Sequence, residues 1–466
     1  MLIVSNQSIA CPVQGPAVDV VNPGFEDGVE GWEPHTHPQA TISASSDAFE
    51  GSGSCLVSER EFFWTGVRQD LLGKIEVDHD YRISLNAKSV AVDAALKIQI
   101  RQVDDRGLQF IELGTLLVNA NSWTQFVSGF HLQVNGDLQE LDLVVAGSPG
   151  HVSDFLVDNV SMSLNEWQAE AAARIEAIRK TDLKLSVVNE SGDALPQSEI
   201  EAQQIRSHFA FGSTLNSRVA NDPQFADFFK EHFEWATVEW RMQWFPVEED
   251  RGVEVYDLAD ASIAFCEEND IQVRGHSILW PHASFVPEWL PALDDVQVMA
   301  EVDERIENVT TRYQRRLASW DVCNEMLDHR FYRDRLGDDI AAHAFREAHK
   351  FDPSAQLFTN ESGFLDRRND FRSTQLIDLI NDLQSRGANV GGIGLQTHFF
   401  VNNISPRVME LAIDDLASTD LPIWISEYDT VNPDPVERAK QLETFYRYIF
   451  SRPEIDGVMM LSLIHI

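Results

Sequence analysis

The sequence predicts a multidomain protein in which an all-β jelly-roll sandwich precedes an α/β domain, a (β/α)8 (TIM) barrel. Three observations support this fold class. The 466 residues exceed what one hydrophobic core usually supports. Short stretches that alternate apolar and polar residues fill the first third of the chain, and apolar runs alternate with amphipathic helices over the rest. We therefore expect two separate cores joined by a connector.

Residues 18–164 carry the predicted sandwich. Stretches such as "YRISLNAKSV", "LKIQIRQV" and "FLVDNVSMSL" alternate with a period of two and are separated by Gly, Asn and Asp. Residues 165–205 form the connector. Its first part, "EWQAEAAARIEAIRK", favours a helix, and its second part predicts a small hairpin with its turn at Ser191 to Asp193.

Residues 206–466 carry the predicted barrel. A helix start is clear near the end of the chain, with Asp434 as N-cap, Pro435 at the first position and Glu437 placed for a capping box. The strands are apolar almost throughout, which is typical of a parallel sheet buried on both faces. They are expected near residues 209–214, 235–239, 271–279, 317–323, 355–359, 391–396, 422–427 and 457–461. Eight such strands predict a barrel whose active site lies at their carboxyl ends.

The charge of the chain limits its partners. There are 36 Lys and Arg against 75 Asp and Glu, which gives a formal net charge of −39. Such a chain repels nucleic acid and anionic membrane surfaces, so we expect neither as a partner. The four cysteines show no C-x-x-C spacing that would indicate zinc.

Polar residues follow three of the predicted strands. If two carboxylates from different strands lie roughly 5 Å apart, they suit retaining glycoside hydrolysis, in which one attacks the anomeric carbon and the other protonates the leaving oxygen. The strand-end residues in question are Asn324 and Glu325 in "SWDVCNEML", Gln396 and His398 in "GGIGLQTHFF", and Glu427 and Asp429 in "LPIWISEYD".

These stretches, with "RGHSILW" (274–280) and "FAFGSTLN" (209–216), resemble glycoside hydrolase family 10, the family of retaining endo-β-1,4-xylanases. The resemblance extends from about Asp182 to Met460. It implies that Glu325 is the acid/base and Glu427 the nucleophile. It also implies supporting roles: Asn324 would bind the sugar 2-hydroxyl, His398 and Asp429 would orient Glu427, His276 and Trp280 would line the sugar site, and Gln396 would lie near the carboxylate pair.

The chain departs from this family in two places. In "EWRMQW" (239–244), Glu239 is retained, but Trp240 replaces an Asn and Gln243 replaces a Lys, so we expect Glu239 and Gln243 to bind sugar with altered recognition. The C-terminal "GVMMLSLIHI" lacks the expected aromatic continuation. We therefore expect a C-terminally truncated barrel without its last helix.

The N-terminal region resembles carbohydrate-binding modules of the family 4, 9 and 22 type, through "VVNPGFEDGVEGW" at its start and "DFLVDNVSM" at its end. Trp64 is a predicted sugar platform, because an aromatic face packs against a pyranose; a core position is the alternative. The resemblance also implies that Glu26 and Asp158 share a structural calcium, since carboxylate oxygens suit that ion.

The sequence thus predicts a xylanase-like hydrolase that needs no cofactor for catalysis and acts on xylan or a related β-1,4-linked polysaccharide. The alternatives are a non-catalytic glycan-binding protein with a degenerate barrel and a β-glycanase of different specificity. We expect a monomer. An extracellular or periplasmic location is inferred from the substrate class, because the N-terminus shows no clear signal peptide.

Overall fold

The computed structural model describes residues 15–36, 40–238, 240–366, 368, 370–399 and 404–461. Its N-terminal part contains ten strands. They are β1 (Glu33–His35), β2 (Thr41–Ser45), β3 (Ser54–Ser58), β4 (Gly66–Asp70), β5 (His79–Ser89), β6 (Ala94–Asp104), β7 (Gly107–Val118), β8 (Thr124–Leu132), β9 (Glu140–Gly147) and β10 (Phe155–Leu164).

These strands form two five-stranded antiparallel sheets, in the orders β1-β4-β9-β6-β7 and β2-β3-β10-β5-β8. The strands alternate as expected. In β6 the side chains of Leu96, Ile98 and Ile100 are fully buried, while Lys97 and Gln99 between them are half-buried. Inward residues from both sheets form one hydrophobic core. The predicted sandwich is confirmed.

The connector begins with helix α1 (Trp167–Ile178). The predicted hairpin is not formed as two strands. Its turn exists, because Gly192 N–H donates to the Asn189 carbonyl, but the pairing is limited to an isolated bridge between Val188 and Ala194. Apolar side chains of this segment are exposed, Leu183 by 72%. Without a surface to pack against, the alternating pattern alone does not build a ladder.

The C-terminal part is a closed barrel of eight parallel strands. The strands are β11 (Ala210–Leu215), β12 (Trp235–Val238), β13 (Gln272–Leu279), β14 (Ser319–Asn324), β15 (Gln356–Ser362), β16 (Gly392–Phe399), β17 (Ile423–Thr430) and β18 (Ile455–Met460). β18 pairs with both β17 and β11, which closes the barrel. All eight predicted strands are present, so the barrel is confirmed. The predicted ending at "LSLIHI" lies almost wholly outside the described residues.

Helices surround the barrel. They are α2 (Pro223–His232), α3 (Trp244–Val247), α4 (Asp257–Glu268), α5 (Asp295–Arg312), α6 (Phe331–Leu336), α7 (Ile340–Phe351), α8 (Asp370–Ser385), α9 (Pro406–Ala417) and α10 (Pro435–Ser451). Within the described part of the chain, no helix has the length and apolar character needed to cross a membrane.

The start of α10 differs from its prediction in one contact. Asp434 caps the helix by accepting the N–H groups of Val436 and Glu437, as expected. Glu437 does not complete a capping box, because the Asp434 N–H donates to the Asn432 side chain instead. The Glu437 carboxylate accepts a hydrogen bond from Gln133 of the sandwich. Glu437, which was expected to complete the capping box, thus forms a hydrogen bond between the barrel and the sandwich.

Candidate active site

The strand-end residues expected to act together do meet at the carboxyl end of the barrel. Gln396 of β16 is the cross-strand partner of Glu427 in β17, and His398 is the partner of Asp429. Glu325 follows β14 directly. Because the parallel strands of a barrel all end at the same face, these side chains lie around a single cleft.

Glu427 is surrounded by groups that favour its charged form. Its Oε1 accepts a hydrogen bond from Asn360 Nδ2 at 2.9 Å and lies 4.0 Å from His276 Nδ1. Its Oε2 lies 3.4 Å from His398 Nε2. Burial opposes ionisation, but the bond from His398 and the nearby imidazoles outweigh burial and lower the pKa of Glu427. The arrangement therefore holds an ionised carboxylate at this point.

His398 lies between two carboxylates. Its Nδ1 is 3.0 Å from Asp429 Oδ1, and its Nε2 faces Glu427. Burial lowers the pKa of the imidazole, but the hydrogen bonds to Asp429 and Glu427 prevail and raise it to about 10. At neutral pH the ring is therefore protonated and donates to both carboxylates.

A buried ion pair fixes the other imidazole. His276 Nδ1 lies 2.9 Å from Asp321 Oδ2, and the Arg274 guanidinium binds the same carboxylate. Burial raises the pKa of Asp321, but the charges of Arg274 and His276 overcome this and hold it below its usual value. Both Arg274 and Asp321 are fully enclosed in the barrel, so they orient His276 from below the cleft.

Glu325 has a different environment. Its φ of 56° places it in the left-handed region, and its N–H donates to the Asn360 carbonyl at 2.8 Å. Its Oε2 accepts the indole N–H of Trp280 at 2.8 Å and lies 3.2 Å from His329 Nε2. The side chain keeps 17% of its surface exposed. Trp280 is thus a partner of the predicted acid/base rather than a core residue.

Asn360 connects the two glutamates and was not predicted. Its side-chain amide donates to Glu427 Oε1 and to Asn324 Oδ1, both at 2.9 Å, while its carbonyl accepts from Glu325. Gln396 Nε2 also donates to Asn324 Oδ1, at 3.0 Å. A signal existed in the sequence: "LFTNES" ends an apolar run on Asn-Glu, as "DVCNEM" does.

The altered stretch before α3 contributes a buried amide and an exposed indole. Gln243 is 5% exposed, and its Oε1 has no hydrogen-bond partner among the described residues. Trp240 is 46% exposed and packs edge-on against Phe245, with ring centroids 4.8 Å apart. Phe245 contacts Phe285, which stacks on Trp280 at 4.1 Å. An aromatic row thus leads to the predicted acid/base. Glu239 lies outside the described residues.

The sandwich exposes the predicted sugar platform. Trp64 is 42% exposed and stacks on Phe62 with ring centroids 4.6 Å apart. The alternative that Trp64 is a core residue is therefore wrong. Whether the pair binds sugar stays a prediction, although a flat exposed aromatic surface suits a pyranose face.

The two residues expected at a calcium site lie at the same end of the sandwich. Glu26 accepts the N–H groups of Ser52 and Gly53, and Asp158 accepts those of Phe49 and Glu50. Burial raises the pKa of Asp158, and the charge of Glu26 adds to this. The oxygens suit calcium chemically. However, no group of three or more His, Cys, Asp or Glu that could hold a metal occurs in the described ranges, so calcium stays a prediction.

Comparison with known proteins agrees with this geometry. Residues 19–150 match the family model of a carbohydrate binding domain. An endo-1,4-beta-xylanase 2 from Arabidopsis thaliana is 30% identical over 417 residues, which are 87% of this chain and 38% of that protein. The anti-sigma-I factor RsgI6 from Acetivibrio thermocellus is 34% identical over 295 residues, 63% of this chain and 38% of that protein. The chain spans about two fifths of the length of both relatives.

A solved structure shows the same barrel. Xylanase 10B from Thermotoga petrophila RKU-1, in complex with xylobiose, superposes with a TM-score of 0.51 at 20% identity, covering 57% of this chain and 87% of that chain. This likeness concerns the fold. The model of glycosyl hydrolase family 10 matches residues 201–460, more than half of the chain. The chain therefore belongs to glycosyl hydrolase family 10.

Proposed function

We propose that the protein is a retaining endo-β-1,4-xylanase-like hydrolase that cleaves xylan or a related β-1,4-linked polysaccharide by double displacement. The observation that supports this most is the contrast between the two glutamates that Asn360 connects. Glu427 is held in its charged form by imidazole and amide donors. Glu325 directly follows a different strand, β14, and contacts an indole and an imidazole.

In the first step, Glu427 attacks the anomeric carbon, the glycosidic bond breaks, and the proton of Glu325 passes to the leaving oxygen. The product of this step is a glycosyl ester of Glu427. In the second step, the Glu325 carboxylate takes a proton from water, the water oxygen attacks the anomeric carbon, and the Glu427 carboxylate leaves. Two inversions retain the configuration, and both glutamates regain their starting states.

The surrounding residues have distinct parts in this proposal. The His398 imidazolium and Asn360 orient Glu427 and balance its charge in the resting enzyme. Asn324 uses its Oδ1 to accept from Asn360 and Gln396. Its amide group is then the part that can donate to the sugar 2-hydroxyl. His276, fixed by Asp321, lines the same sugar site, and no step requires a cofactor.

The relatives and the cleft support the proposed substrate class. The Arabidopsis relative is named an endo-1,4-beta-xylanase, and the Thermotoga enzyme was solved with xylobiose. Gln243 offers a buried acceptor where the family resemblance leads one to expect a lysine, which can only donate. We infer that Gln243 takes part in sugar binding with a recognition that differs from that of the expected lysine. The substrate class also implies an extracellular or periplasmic place of action.

A glycan-binding role without catalysis is the second candidate, because one relative is named an anti-sigma-I factor. The complete set of contacts around Glu325 and Glu427 favours catalysis, since binding alone does not require an ionised carboxylate opposite an acid. The oligomeric state we infer is a monomer. The deciding measurement is product analysis on xylans, mixed-linkage glucans and aryl glycosides.

The roles of the two glutamates are tested by substitution. Glu427→Ala should abolish hydrolysis of every substrate. Glu325→Ala should spare the first step on aryl β-xylobiosides, whose leaving groups need little protonation, and added azide should restore turnover with retained configuration. Glu443→Ala, which removes a surface carboxylate paired with Arg447, serves as the control. An equal loss on activated and natural substrates in Glu325→Ala would show that the acid is misassigned.

A further inference from the structure

The turn that follows β14 brings His329 back onto Glu325. The His329 N–H donates to the Glu325 carbonyl at 3.0 Å, so the chain reverses within four residues. Its ring nitrogen Nε2 then lies 3.2 Å from Glu325 Oε2. The same oxygen accepts the Trp280 indole N–H at 2.8 Å. An imidazole and an indole therefore share one oxygen of the proposed acid/base.

Contacts from three other segments fix this turn. The side-chain carboxyl group of Glu361 in β15 accepts the Met326 N–H at 2.7 Å. Arg372 of α8 forms two hydrogen bonds with Asp328, one of 2.8 Å. The Phe331 N–H donates to the Pro281 carbonyl at 3.0 Å. These contacts hold the backbone of the turn in place. The His329 imidazole is therefore positioned next to Glu325 before substrate binds.

A second histidine borders the pair. The His282 ring lies edge-on to His329, with centroids 4.2 Å apart. His282 Nδ1 accepts the N–H of Ser284 at 3.1 Å, which places the proton of the neutral ring on Nε2. The other charged groups of this region have their own partners: Arg330 pairs with Asp334, and Asp328 pairs with Arg372. The carboxylate that His329 contacts is Glu325.

Each half of a double displacement changes the charge of Glu325, and imidazole suits both states. When Glu325 is protonated, its O–H can donate to Nε2 of neutral His329. When Glu325 is a carboxylate, His329 can donate its N–H to it. Indole has only a donor, so Trp280 cannot make this exchange.

We propose that His329 is a positioning residue that stays hydrogen-bonded to Glu325 through both steps, as an acceptor while Glu325 is protonated and as a donor while Glu325 is a carboxylate. The inference rests on the proposed function. The proton that reaches the leaving oxygen comes from Glu325, and the proton that restores Glu325 comes from water, so His329 is unchanged after a turnover.

The test compares His329→Ala and His329→Gln with the unaltered chain, by kcat/KM against pH on xylan and on an aryl β-xylobioside with a good leaving group. On xylan, His329→Ala should lower kcat/KM about tenfold at the optimum, as expected for losing a hydrogen bond to a charged group. The first step on the aryl substrate should change less than about twofold, because it needs little protonation.

His329→Gln keeps a donor and an acceptor but cannot be protonated. It should recover most of the activity on xylan that His329→Ala loses. His343→Gln is the matched control, because this histidine of α7 pairs with Asp303 and not with Glu325. An activity of His329→Gln on xylan as low as that of His329→Ala would overturn the inference, as would an equal loss on both substrates in His329→Ala. If the unaltered chain hydrolyses neither substrate, the proposed function itself fails.

Discussion

Two Asn-Glu pairs end neighbouring strands of the barrel, and their glutamates point in opposite directions. Asn324 and Asn360 both face the cleft. Glu361 follows the alternation of an extended strand, so it turns away from the cleft and is fully buried behind it. Glu325 leaves the extended region, with φ of 56°, and its side chain returns to the cleft. The left-handed φ of Glu325 therefore places this carboxyl in the cleft, whereas the extended backbone of Glu361 places its carboxyl behind the cleft in a structural role.

Glu361 predicts a stability that depends on pH. Burial raises the pKa of its carboxyl to about 8, although backbone N–H groups and Arg372 partly oppose this. Because the folded pKa exceeds the unfolded value, the folded state binds more protons, and this group's contribution falls as pH rises from about 4.5 to about 8. Glu361→Gln keeps an acceptor without ionising. Its Tm relative to the unaltered chain should increase between pH 5 and pH 9.

The measurement is thermal unfolding of both proteins over that range. The difference between them removes the effects of other carboxylates, including Glu427, whose lowered pKa acts at lower pH. A difference in Tm that does not vary with pH would mean that Glu361 is already ionised at pH 5.

The types of residue at the site were predictable, but their connections were not. Strand-end positions placed Glu325, Glu427 and His398 in the cleft, because parallel strands end at one edge. Asn360 shares the same pattern, yet choosing it required knowing which of Asn360 and Glu361 faces inward. His329 required the path of the turn after β14. Both depend on local backbone angles that residue types do not specify.

At the scale of whole elements, the strands that are buried were predicted correctly from the sequence, and the exposed hairpin of the connector was not. The barrel strands are mostly apolar, as expected for strands that helices cover, and all eight occur within a few residues of the expected positions. The connector has the alternation of a hairpin, but Leu183 and Ile205 are largely exposed. An alternating pattern shows that a segment can form a strand. The strand forms only where the segment can pair with a neighbouring strand or pack its apolar face on a core.

The loop between β3 and β4 predicts sugar binding by the sandwich. It presents Phe62 and Trp64 as a stacked, exposed pair. In a Glu427→Ala background, where the proposed hydrolysis is blocked, Trp64→Ala should weaken the retardation of the chain in gels that contain xylan, on the order of tenfold in Kd. Leu117→Ala removes another exposed apolar side chain of the sandwich and is the control. Equal retardation of both variants would exclude the indole as the platform.

The loop between β2 and β3 predicts a response to calcium. Glu26 and Asp158 accept its backbone N–H groups, so an ion bound by both carboxylates would tie the loop to β10. Chelation should then lower the Tm by several degrees, and added calcium should restore it. Glu26→Gln should remove this response. Identical melting curves with chelator and with calcium would contradict the assignment.

At the scale of the whole molecule, the sandwich and the barrel share a polar and aromatic interface. Arg82 of β5 lies 3.4 Å from Glu170 of α1 and 3.8 Å from Glu410 of α9. Near it, Trp167 of α1 donates its indole N–H to Asp80 at 2.8 Å. These residues are mostly buried, so their charges are poorly screened by solvent. The interface therefore favours unfolding of the two domains as one unit.

Trp167 is the residue through which this coupling is best tested. It is 4% exposed, binds Asp80 of the sandwich, and meets Tyr448 of α10 edge-on with ring centroids 6.1 Å apart. Trp167→Ala leaves a cavity between the domains and removes the indole donor from Asp80, at a cost of about 3–5 kcal/mol. Calorimetry should show one transition for the unaltered chain and two for the variant, the first at lower temperature. Trp64→Ala removes an exposed indole from the same sandwich and should leave a single transition near the original Tm. Two transitions already present in the unaltered chain would mean that the domains unfold independently and that the interface contributes little to stability.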